Sequence, residues 1–545
     1  MAAFNEEFRY GSAAWANEED MLRAGLFGSV GPALGYVRGR IVRLNGDAPM
    51  ITIGGAGSGK LRDLLAYNLC GVRGDNGKWT APPRMLVNDP RGELAAVSIH
   101  NQVRFGKAAY CINPYGLHDL PQLRINPWDL LSLESLGNSR TFDADLKLVV
   151  SDFIPLSGSP NGEYFELGAR GWCEALLKTL IVHTGGVTMP ALFDILNEIE
   201  DESGWKNTQA AMFAAPFPDI HRVAGEMDYK RKDAPKEYSG FIGELRKNTM
   251  FLSDRAIYET LSGSDVSPEV LCKEDCNLYI IIPAEYVGLL APMQRAIVGS
   301  AMLYKQRHTS APRVLFLIDE AAQLGRFESL LRGYTYGRGM GIRTWSIWQD
   351  TGQITRNFGR EALSGFLGSS QLRQSFGTRD LDTARLWSDM LGTQTLEYDA
   401  SLDQAAARRN KAHIIRELMA GADPFEAGLN YAQQARAAIN RTKQARALMT
   451  PDEILNMPED RQILFISGLG LMPVFANKYP YFKQREMAGG YMPNPYHPPA
   501  DTVRVATRFG SRVCRVITER VPRKYSHLPQ YQSGEWSFIE GYRPS

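Results

Sequence analysis

The chain has 545 residues, of which 44% are hydrophobic and 22% are charged, and its formal net charge at pH 7 is +1. These values are typical of a globular protein and exclude a fibre or a generally disordered chain. A net charge near zero also excludes a general attraction to nucleic acid or acidic membranes, so any such attraction must be local.

The N-terminus and the cysteines point to the cytoplasm. Residues 1–22 lack the basic and apolar segments of a signal peptide, and no later stretch has the about 18 consecutive apolar residues of a membrane span. Of the six cysteines only Cys272 and Cys276 lie close together, with a spacing that suits zinc poorly. We expect a chain of the reducing cytosol that has no transmembrane segment of its own.

A phosphate-binding loop is predicted near the start of the chain, in ITIGGAGSGKLRDLLAYNL at residues 51–69. Gly54, Gly59 and Lys60 fit the pattern G-x-x-x-x-G-K, directly after a predicted strand and before a predicted helix. Glycines let backbone N–H groups turn toward phosphate oxygens, and the lysine adds a positive charge. Leu61 stands where most such loops have a hydroxyl that binds Mg²⁺. The predicted nucleotide-binding residues are Gly54, Gly55, Ala56, Gly57, Ser58, Gly59, Lys60 and Leu61.

The predicted elements divide the chain into four parts. Residues 1–139 contain an N-terminal segment and the first strands of a mainly parallel sheet with helices on its faces. Residues 140–270 have helical periodicity, which predicts an all-helical insertion domain or, alternatively, outer-layer helices of the main domain. Residues 271–488 resume the sheet, interrupted at 400–448 by a basic helical insertion that faces solvent or DNA. Residues 489–545 begin proline-rich and become basic, which predicts a linker with a partly ordered extension, or else a docking or DNA-contacting arm.

Acidic and amide side chains follow two of the later predicted strands. The apolar run Val314–Ile318 ends in Asp319 and Glu320, and the next strand ends at Gln349. Open α/β folds bind their ligands at the carboxyl ends of the strands. We expect Asp319 to hold Mg²⁺ through water, Glu320 to orient the attacking water as general base, and Gln349 to sense the γ-phosphate.

Two arginines between these strands, in YGRGMGIR, are candidates for an arginine finger. Such a residue reaches the phosphates bound by a neighbouring subunit and stabilises the charge of the transition state. Arg338 and Arg343 both have a suitable place in the sequence, but arginines are also common on solvated loops, so both interpretations stay open.

Taken in order, these segments resemble the type IV coupling proteins of conjugative DNA transfer and type IV secretion, the TraG-like branch of the RecA-like ring ATPases. The resemblance runs over about residues 10–480, and several segments match in both residues and position, which makes it more specific than a phosphate loop alone. The segments that carry it are GSAAWA, the phosphate loop, VNDPRGEL, INPW, EYFELGARGW, LFLIDEAAQLGR, GMGIRTWSIWQD, SFGTRDLDTA and LMTPDEILNMPEDRQILFISG.

The resemblance implies a RecA-like P-loop NTPase fold, the cofactors ATP and Mg²⁺, and a ring that is a hexamer. It implies an ATPase that recruits DNA–relaxase complexes or protein effectors to a secretion channel and drives their transfer by ATP hydrolysis. Its partners would be single- or double-stranded DNA, a relaxase or effectors, and other secretion components at the cytoplasmic face of the bacterial inner membrane. Lys60, Glu320, Gln349 and Arg338 would be the catalytic residues, and Asp319 would bind the metal.

Two features depart from the family pattern. Family members commonly begin with a transmembrane hairpin, whereas this chain starts almost at the motor domain, so we expect recruitment to the membrane through a partner. The TraG-like branch often has glycine where this chain has Leu61. Metal binding would then rest on Asp319, phosphate oxygens and water, and slow hydrolysis would follow. Two alternatives are a non-hydrolysing nucleotide-binding adaptor of the secretion system and a soluble RecA-like DNA translocase.

Overall fold

A computed structural model describes residues 8–74, 77–398, 401–421, 423–437 and 442–544. The other positions include parts of the predicted N-terminal segment, basic insertion and C-terminal extension, and the predictions for those parts lie outside the described residues. Within the described ranges, no helix combines the length and the apolar character needed to cross a bilayer.

The largest element is an 11-stranded sheet. Its strands in chain order are β1 (Ala33–Val37), β2 (Arg40–Arg43), β3 (Met50–Ile53), β4 (Arg84–Pro90), β5 (Ala108–Ile112), β6 (Cys276–Ile282), β7 (Val314–Ile318), β8 (Ile342–Trp348), β9 (Leu372–Ser375), β10 (Arg461–Ile466) and β11 (Val474–Asn477). Their order across the sheet is β2-β1-β11-β10-β9-β3-β8-β7-β4-β6-β5. The strands from β9 to β5 pair in parallel, whereas β1 with β2, β1 with β11 and β9 with β10 are antiparallel. The predicted mainly parallel sheet is confirmed.

The register of the parallel strands brings their carboxyl ends to one edge. Strand β3 is buried at every position and lies between β8 and β9, so that Ile53 is opposite both Trp348 and Ser375. On the other side of β8, Ser346 is opposite Ile318 of β7. The loops that follow β3, β7 and β8 therefore meet at the edge where open α/β sheets bind ligands.

α-Helices occupy most connections between the strands. In chain order they are α1 (Glu18–Arg23), α2 (Ala66–Cys70), α3 (Glu93–Ser98), α4 (Leu133–Asn138), α5 (Phe142–Phe153), α6 (Pro160–Thr184), α7 (Met189–Glu198), α8 (Glu202–Ala214), α9 (Pro218–Asp233), α10 (Pro235–Thr249), α11 (Arg255–Leu261), α12 (Val270–Lys273), α13 (Ala291–Arg307), α14 (Glu328–Thr335), α15 (Thr351–Phe358), α16 (Arg360–Ser369), α17 (Leu381–Leu391), α18 (Ser401–Met419), α19 (Pro424–Ala437) and α20 (Pro451–Leu455).

Helices α5 to α11 form a continuous helical stretch within the predicted insertion. The side chains of Ser159, Thr188 and Asp201 accept hydrogen bonds from backbone N–H groups of the first turns of α6, α7 and α8, which explains where these helices begin. Trp172 of α6 is buried against Phe241 of α10, with ring centroids 4.9 Å apart. Contact density places this stretch in one compact unit with the sheet, so its boundaries as a separate domain stay a prediction.

The chain divides into two compact units. The larger contains residues 18–378, 458–471 and 475–545, and the smaller contains residues up to 17, 379–457 and 472–474. In the smaller unit, the strands Thr393–Tyr398 and Thr442–Ala447 pair in antiparallel fashion, and α18 and α19 lie between them in the chain.

The C-terminal residues form a three-stranded antiparallel sheet in the larger unit. Its strands are β12 (Thr502–Thr507), β13 (Gly510–Arg520) and β14 (Glu535–Ile539). They contribute to an apolar cluster, here called the C-terminal cluster, which consists of Ala33, Tyr36, Ala66, Tyr67, Cys70, Val72, Val97, Tyr481, Met487, Ala488, Tyr491, Met492, Val503, Val505, Cys514 and Ile539. The structure thus has a packed element in place of the partly ordered extension expected from the sequence.

Candidate nucleotide-binding site

Backbone hydrogen bonds hold the phosphate loop at the end of β3. The N–H of Gly54 donates to the carbonyl of Trp348, and the N–H of Gly55 donates to the carbonyl of Gly377, both at 2.9 Å. The loop is therefore fixed to the ends of both neighbouring strands. A Cβ atom on Gly54 would lie 2.8 Å from the carbonyl oxygen of Phe376, so this close approach requires glycine.

The second half of the loop turns Lys60 toward its concave side. Gly57 and Gly59 have φ angles of +72° and +83°, in the left-handed region that favours glycine. The ammonium of Lys60 donates to the carbonyl oxygen of Gly54 at 3.1 Å and lies 3.6 Å from Oε1 of Glu320. Lys60 therefore has a position from which it can exchange the carbonyl for a phosphate oxygen.

Leu61 has a packing role at the position after the lysine. It begins a π-helical turn, Leu61–Leu65, is half-buried, and packs against the C-terminal cluster. A leucine here contributes apolar contact that a serine or threonine would contribute less well. The low hydrolysis rate expected from the missing hydroxyl stays a prediction.

The acidic pair lies at the end of β7 beside Lys60. Desolvation raises the pKa of the Asp319 carboxyl to about 6, while Lys60 lowers that pKa and Glu320 raises it. Glu320 has a left-handed φ of +54°, and its Oε2 accepts a hydrogen bond from Nε2 of Gln349 at 2.9 Å. The structure therefore brings Lys60, Asp319, Glu320 and Gln349 together, with Glu320 between the lysine and the glutamine.

Asp89 is an acidic residue of this edge that the sequence interpretation missed. It lies near the end of β4, is buried, and accepts hydrogen bonds from the N–H groups of Leu94 and Ala95 at the start of α3. Burial, with a smaller contribution from the charge of Asp319, raises the pKa of Asp89 to about 7. The segment VNDPRGEL contains a signal for this residue, because its aspartate lies near the end of a predicted strand, as Asp319 does.

Lys478 contacts the backbone of the phosphate loop, and the sequence interpretation did not identify this residue either. Its ammonium donates to the carbonyl oxygen of Ser58 at 3.3 Å and lies 4.4 Å from the ring centroid of Phe376. Burial lowers the pKa of Lys478 to about 8, and the charge of Asp63 offsets part of this effect. Since Lys478 and Ser58 are 420 positions apart, no local pattern connects them.

The two candidate arginines lie away from the phosphate loop of their own chain. Arg338 pairs with Asp47 at 2.9 Å, close to the amino ends of β3 and β8, and its side chain is 66% exposed. Arg343 is buried and donates from Nε to the carbonyl of Ala48, which argues against contact with another subunit. The structure brings neither arginine to the phosphate loop of its own chain, and a role for Arg338 at a neighbour's phosphates stays a prediction.

A cavity of about 890 Å³ opens beside the phosphate loop. The loop, Asp89, Asp319, Glu320 and Gln349 line one side of it, and residues between Tyr481 and Arg504 line the other. Its size lies within the range of about 300–1,000 Å³ that is usual for small-molecule sites. The arrangement is suited to a ligand with a polyanionic end and a less polar end.

Most of the chain matches the sequence profile of a protein family described as type IV secretory system conjugative DNA transfer, over residues 6–419 and 428–505. The type IV secretion system-coupling protein VirD4 of Bartonella quintana is 24% identical over 433 residues, which are 77% of this chain and 62% of that protein. The conjugal transfer protein TraG of Agrobacterium fabrum is 26% identical over 435 residues, which are 76% of this chain and 58% of that protein. The chain thus spans about three fifths of the length of these relatives.

Solved structures of similar fold include the plasmid coupling protein TrwB. Its complex with the non-hydrolysable ATP analogue ADPNP has a TM-score of 0.60 at 16% identity, covering 88% of this chain and 96% of that one. Its complex with ADP and Mg²⁺ has a TM-score of 0.56 at 17% identity, with the same coverage. At these identities the likeness shows the fold, and it confirms the predicted RecA-like P-loop α/β class.

Proposed function

The chain belongs to the family of type IV secretory system conjugative DNA transfer proteins, and from this premise we propose that it is an ATP-dependent coupling protein. It recruits DNA–relaxase complexes or protein effectors to a type IV secretion or conjugation channel and drives their transfer by ATP hydrolysis. The observation that carries the proposal is the contact series Lys60, Glu320 and Gln349 at the opening of the phosphate loop. Such a series links phosphate binding to the group that would activate water.

The phosphate loop is proposed to bind the triphosphate of ATP. N–H groups of residues 56, 57 and 59–61 and the ammonium of Lys60 are the proposed donors, since the N–H groups of Gly54, Gly55 and Ser58 bond to backbone carbonyls. The buried charge of Lys478 adds to the positive potential at the loop. Related coupling-protein structures have been solved with ADPNP and with ADP and Mg²⁺, which supports nucleotide and metal as ligands of this site as well.

Asp319 has the chemistry of a Mg²⁺ ligand. It offers carboxylate oxygens, the donors that Mg²⁺ prefers, and burial raises its pKa although Lys60 lowers it, so a bound cation would favour its charged form. When bound, Mg²⁺ would neutralise charge on the phosphate oxygens. With leucine after the lysine, Asp319 would hold the metal together with phosphate oxygens and water.

Glu320 is the proposed general base. When ATP binds, Lys60 would turn from the Gly54 carbonyl and Glu320 toward the phosphates, which frees the carboxylate to accept a proton from water. Gln349 donates to the other carboxylate oxygen and so fixes its direction. Gln349 is therefore both a positioning residue and the proposed sensor of the γ-phosphate.

The assembly and its partners are part of the same proposal. We infer a homo-hexameric ring in which Arg338 of one subunit reaches the phosphates held by the next, because its exposed guanidinium lies away from its own site. DNA, a relaxase or effectors, and secretion components at the cytoplasmic face of the inner membrane are the proposed partners.

ATP turnover with Mg²⁺ tests the motor proposal. Purified protein should hydrolyse ATP, faster with single- or double-stranded DNA, and Lys60→Ala should abolish the activity. Lys206→Ala is the matched control, because Lys206 is an exposed lysine of the helical stretch. Absence of turnover with and without DNA would contradict the proposal.

A non-hydrolysing adaptor is the second candidate, and the observation that favours it is the packing of Leu61 where a metal-binding hydroxyl is usual. An adaptor would bind ATP tightly without turnover and would still bind its transfer substrate. Tight ATP binding together with zero turnover in every condition would replace the motor by this adaptor.

A further inference from the structure

The cavity extends well beyond the phosphate loop. Residues between Tyr481 and Arg504 of the same chain also line it and are here called the C-terminal wall. This side has a different chemistry from the loop side, because Phe482, Met492 and Pro493 line it together with the polar side chains of Asn494 and His497. The loop side is suited to phosphate, whereas this side is suited to a flat, partly apolar group that also needs hydrogen bonds.

The C-terminal wall is held in place by packing and hydrogen bonds. Tyr491 is buried in the C-terminal cluster, and its hydroxyl donates to the carbonyl of Arg504 at 2.7 Å. The N–H of Met492 donates to the carbonyl of Val97 at the end of α3, at 3.0 Å. The first bond joins two parts of the wall, and the second fixes the wall to α3. A surface held in this way is preformed, which lowers the entropy cost of binding.

Strand β12 adds to this surface through its alternation. Val503 and Val505 are buried in the C-terminal cluster, whereas Thr502 and Arg504 are more exposed. Thr502, Val503 and Arg504 all line the cavity. Strand β13 pairs along β12, and both lie at the end of the chain, the part for which the sequence predicted a partly ordered extension. The C-terminal sheet therefore supports one side of the cavity in the larger unit.

We propose that the C-terminal wall binds the nucleoside of the nucleotide whose phosphates lie on the phosphate loop. The proposal rests on the proposed function, because it takes a nucleoside triphosphate as the ligand. The base lies against Phe482, Met492 and Pro493, and Asn494, His497 and Arg504 bind its edge or the ribose. Aromatic and apolar side chains contact the flat faces of the bases, and they show little preference for one base over another.

The same arrangement gives Leu61 a place in the site. Leu61 follows the lysine, lines the cavity and contacts the C-terminal cluster, so it lies where the two sides of the cavity meet. Leu61 therefore lies beside both the phosphate loop and the proposed nucleoside-binding wall.

Binding of ATP compared with binding of inorganic tripolyphosphate tests the proposal, since the two ligands share the phosphates and differ in the nucleoside. Both affinities are measured by calorimetry on the full chain with Mg²⁺. Phe482→Ala should weaken ATP binding about tenfold, in keeping with the loss of a stacking side chain, and leave tripolyphosphate binding within about twofold. Phe509→Ala, an exposed phenylalanine of the turn between β12 and β13, is the matched control and should change neither affinity.

A second variant keeps the test decisive if Phe482→Ala does not fold. His497 is exposed and lines the cavity, so His497→Ala removes a cavity contact without opening the cluster, and it should weaken ATP binding about threefold and spare tripolyphosphate. Equal losses for both ligands, or no loss for either, in the folded variants would overturn the proposal. Failure of the proposed function gives other patterns: ATP binds as described but is not hydrolysed with or without DNA, or Lys60→Ala leaves the affinities for both ligands unchanged.

Discussion

The two sides of the cavity are built in different ways. The side with the phosphate loop, here called the phosphate side, consists of short loops that follow β3, β7 and β8, and its proposed ligand-binding groups are backbone N–H groups and a few charged side chains. The C-terminal wall consists of side chains that are held by a cluster gathered from distant parts of the chain. The loops of the phosphate side have a local pattern in the sequence, whereas the C-terminal wall has almost none. Substitutions on the two sides should therefore have separable effects.

The largest expected effect is on the phosphate side. Gly54→Ala would place a Cβ atom 2.8 Å from the carbonyl oxygen of Phe376, so the loop would have to shift. We expect a loss of ATP and tripolyphosphate affinity of about a hundredfold or more, because several phosphate donors move together. Calorimetric titration measures both ligands.

The matched control is Gly368→Ala in α16, where a Cβ atom would meet nothing within 4 Å. That variant should keep its affinity and gain slightly in thermal stability, because alanine is the better helix former. Unchanged phosphate binding by Gly54→Ala would show that the loop geometry described here is not the binding geometry.

Gln349→Ala comes next and separates positioning from binding. It removes the 2.9 Å hydrogen bond to Oε2 of Glu320 and leaves the phosphate loop intact. We expect kcat for ATP to fall about 10- to 100-fold with KM changed less than about threefold, since the lost contact orients the base. Steady-state kinetics over a range of ATP concentrations measures both constants.

The conservative variant Gln349→Glu gives a further check on this interpretation. It keeps the size of the side chain but replaces the donor by a carboxylate facing Glu320, so it should be at least as slow as Gln349→Ala. A wild-type kcat in either variant would contradict the role of Gln349.

The pair Leu61→Thr and Leu61→Val tests the residue where the two sides meet. Both substitutions shorten a side chain that packs on the C-terminal cluster, so each should lower the free energy of unfolding by about 1 kcal/mol. The two variants have nearly the same shape, and only threonine has a hydroxyl that can bind Mg²⁺.

Of the two variants, only Leu61→Thr should raise kcat several-fold and reach its half-maximal rate at a lower Mg²⁺ concentration than the wild type. Chemical denaturation and ATPase assays at varied Mg²⁺ measure the two effects. Equal rates for both variants would show that the missing hydroxyl does not limit this site.

The smallest expected effect is a pH dependence that arises from Lys478. Its pKa of about 8 in the folded chain lies below the ordinary value of 10.5, so the unfolded chain binds more protons between these values. Its contribution to the free energy of unfolding therefore rises with pH across that window. A phosphate bound on the other side of the loop favours the charged lysine, so ATP affinity should fall a few-fold between pH 7.5 and about 9.

Lys478→Arg is the control for this effect, because an arginine remains charged throughout the range. Its ATP affinity should be nearly constant from pH 7.5 to 9, and calorimetry in two buffers of different ionisation enthalpy should show proton uptake in the wild type only. The same pH slope in both proteins would assign the effect to another group.

The sequence was sufficient to predict the fold class and the gathering of the loop, Asp319, Glu320 and Gln349 at one edge of the sheet. The apolar strands, the glycines of residues 54–59 and the pair Asp319 and Glu320 are local patterns whose spacing follows from the chemistry of phosphate binding. Gln349 was found in the same way, because it ends the neighbouring strand.

Other features of the site could not be predicted because they depend on contacts between distant segments. Lys478 reaches Ser58 across 420 positions, and the C-terminal wall requires the packing of Tyr491 and Val503 onto residues near the start of the chain. A proline-rich, basic composition indicates low order, and it does not reveal that alternate residues of β12 are apolar and buried. Arg338 lies at the amino end of β8 and pairs with Asp47, so its predicted role at a neighbour's phosphates depends on contacts between subunits and stays a prediction.

The central claim is that Glu320, held between Lys60 and Gln349, activates water for ATP hydrolysis. The most direct test measures ATP binding and single-turnover hydrolysis by Glu320→Gln, with Mg²⁺ and DNA, beside the wild type and the exposed-surface control Glu202→Gln. We predict that Glu320→Gln binds ATP within about threefold of the wild type and hydrolyses it at least about a hundredfold more slowly. A Glu320→Gln protein that hydrolyses ATP at the wild-type rate would contradict the account.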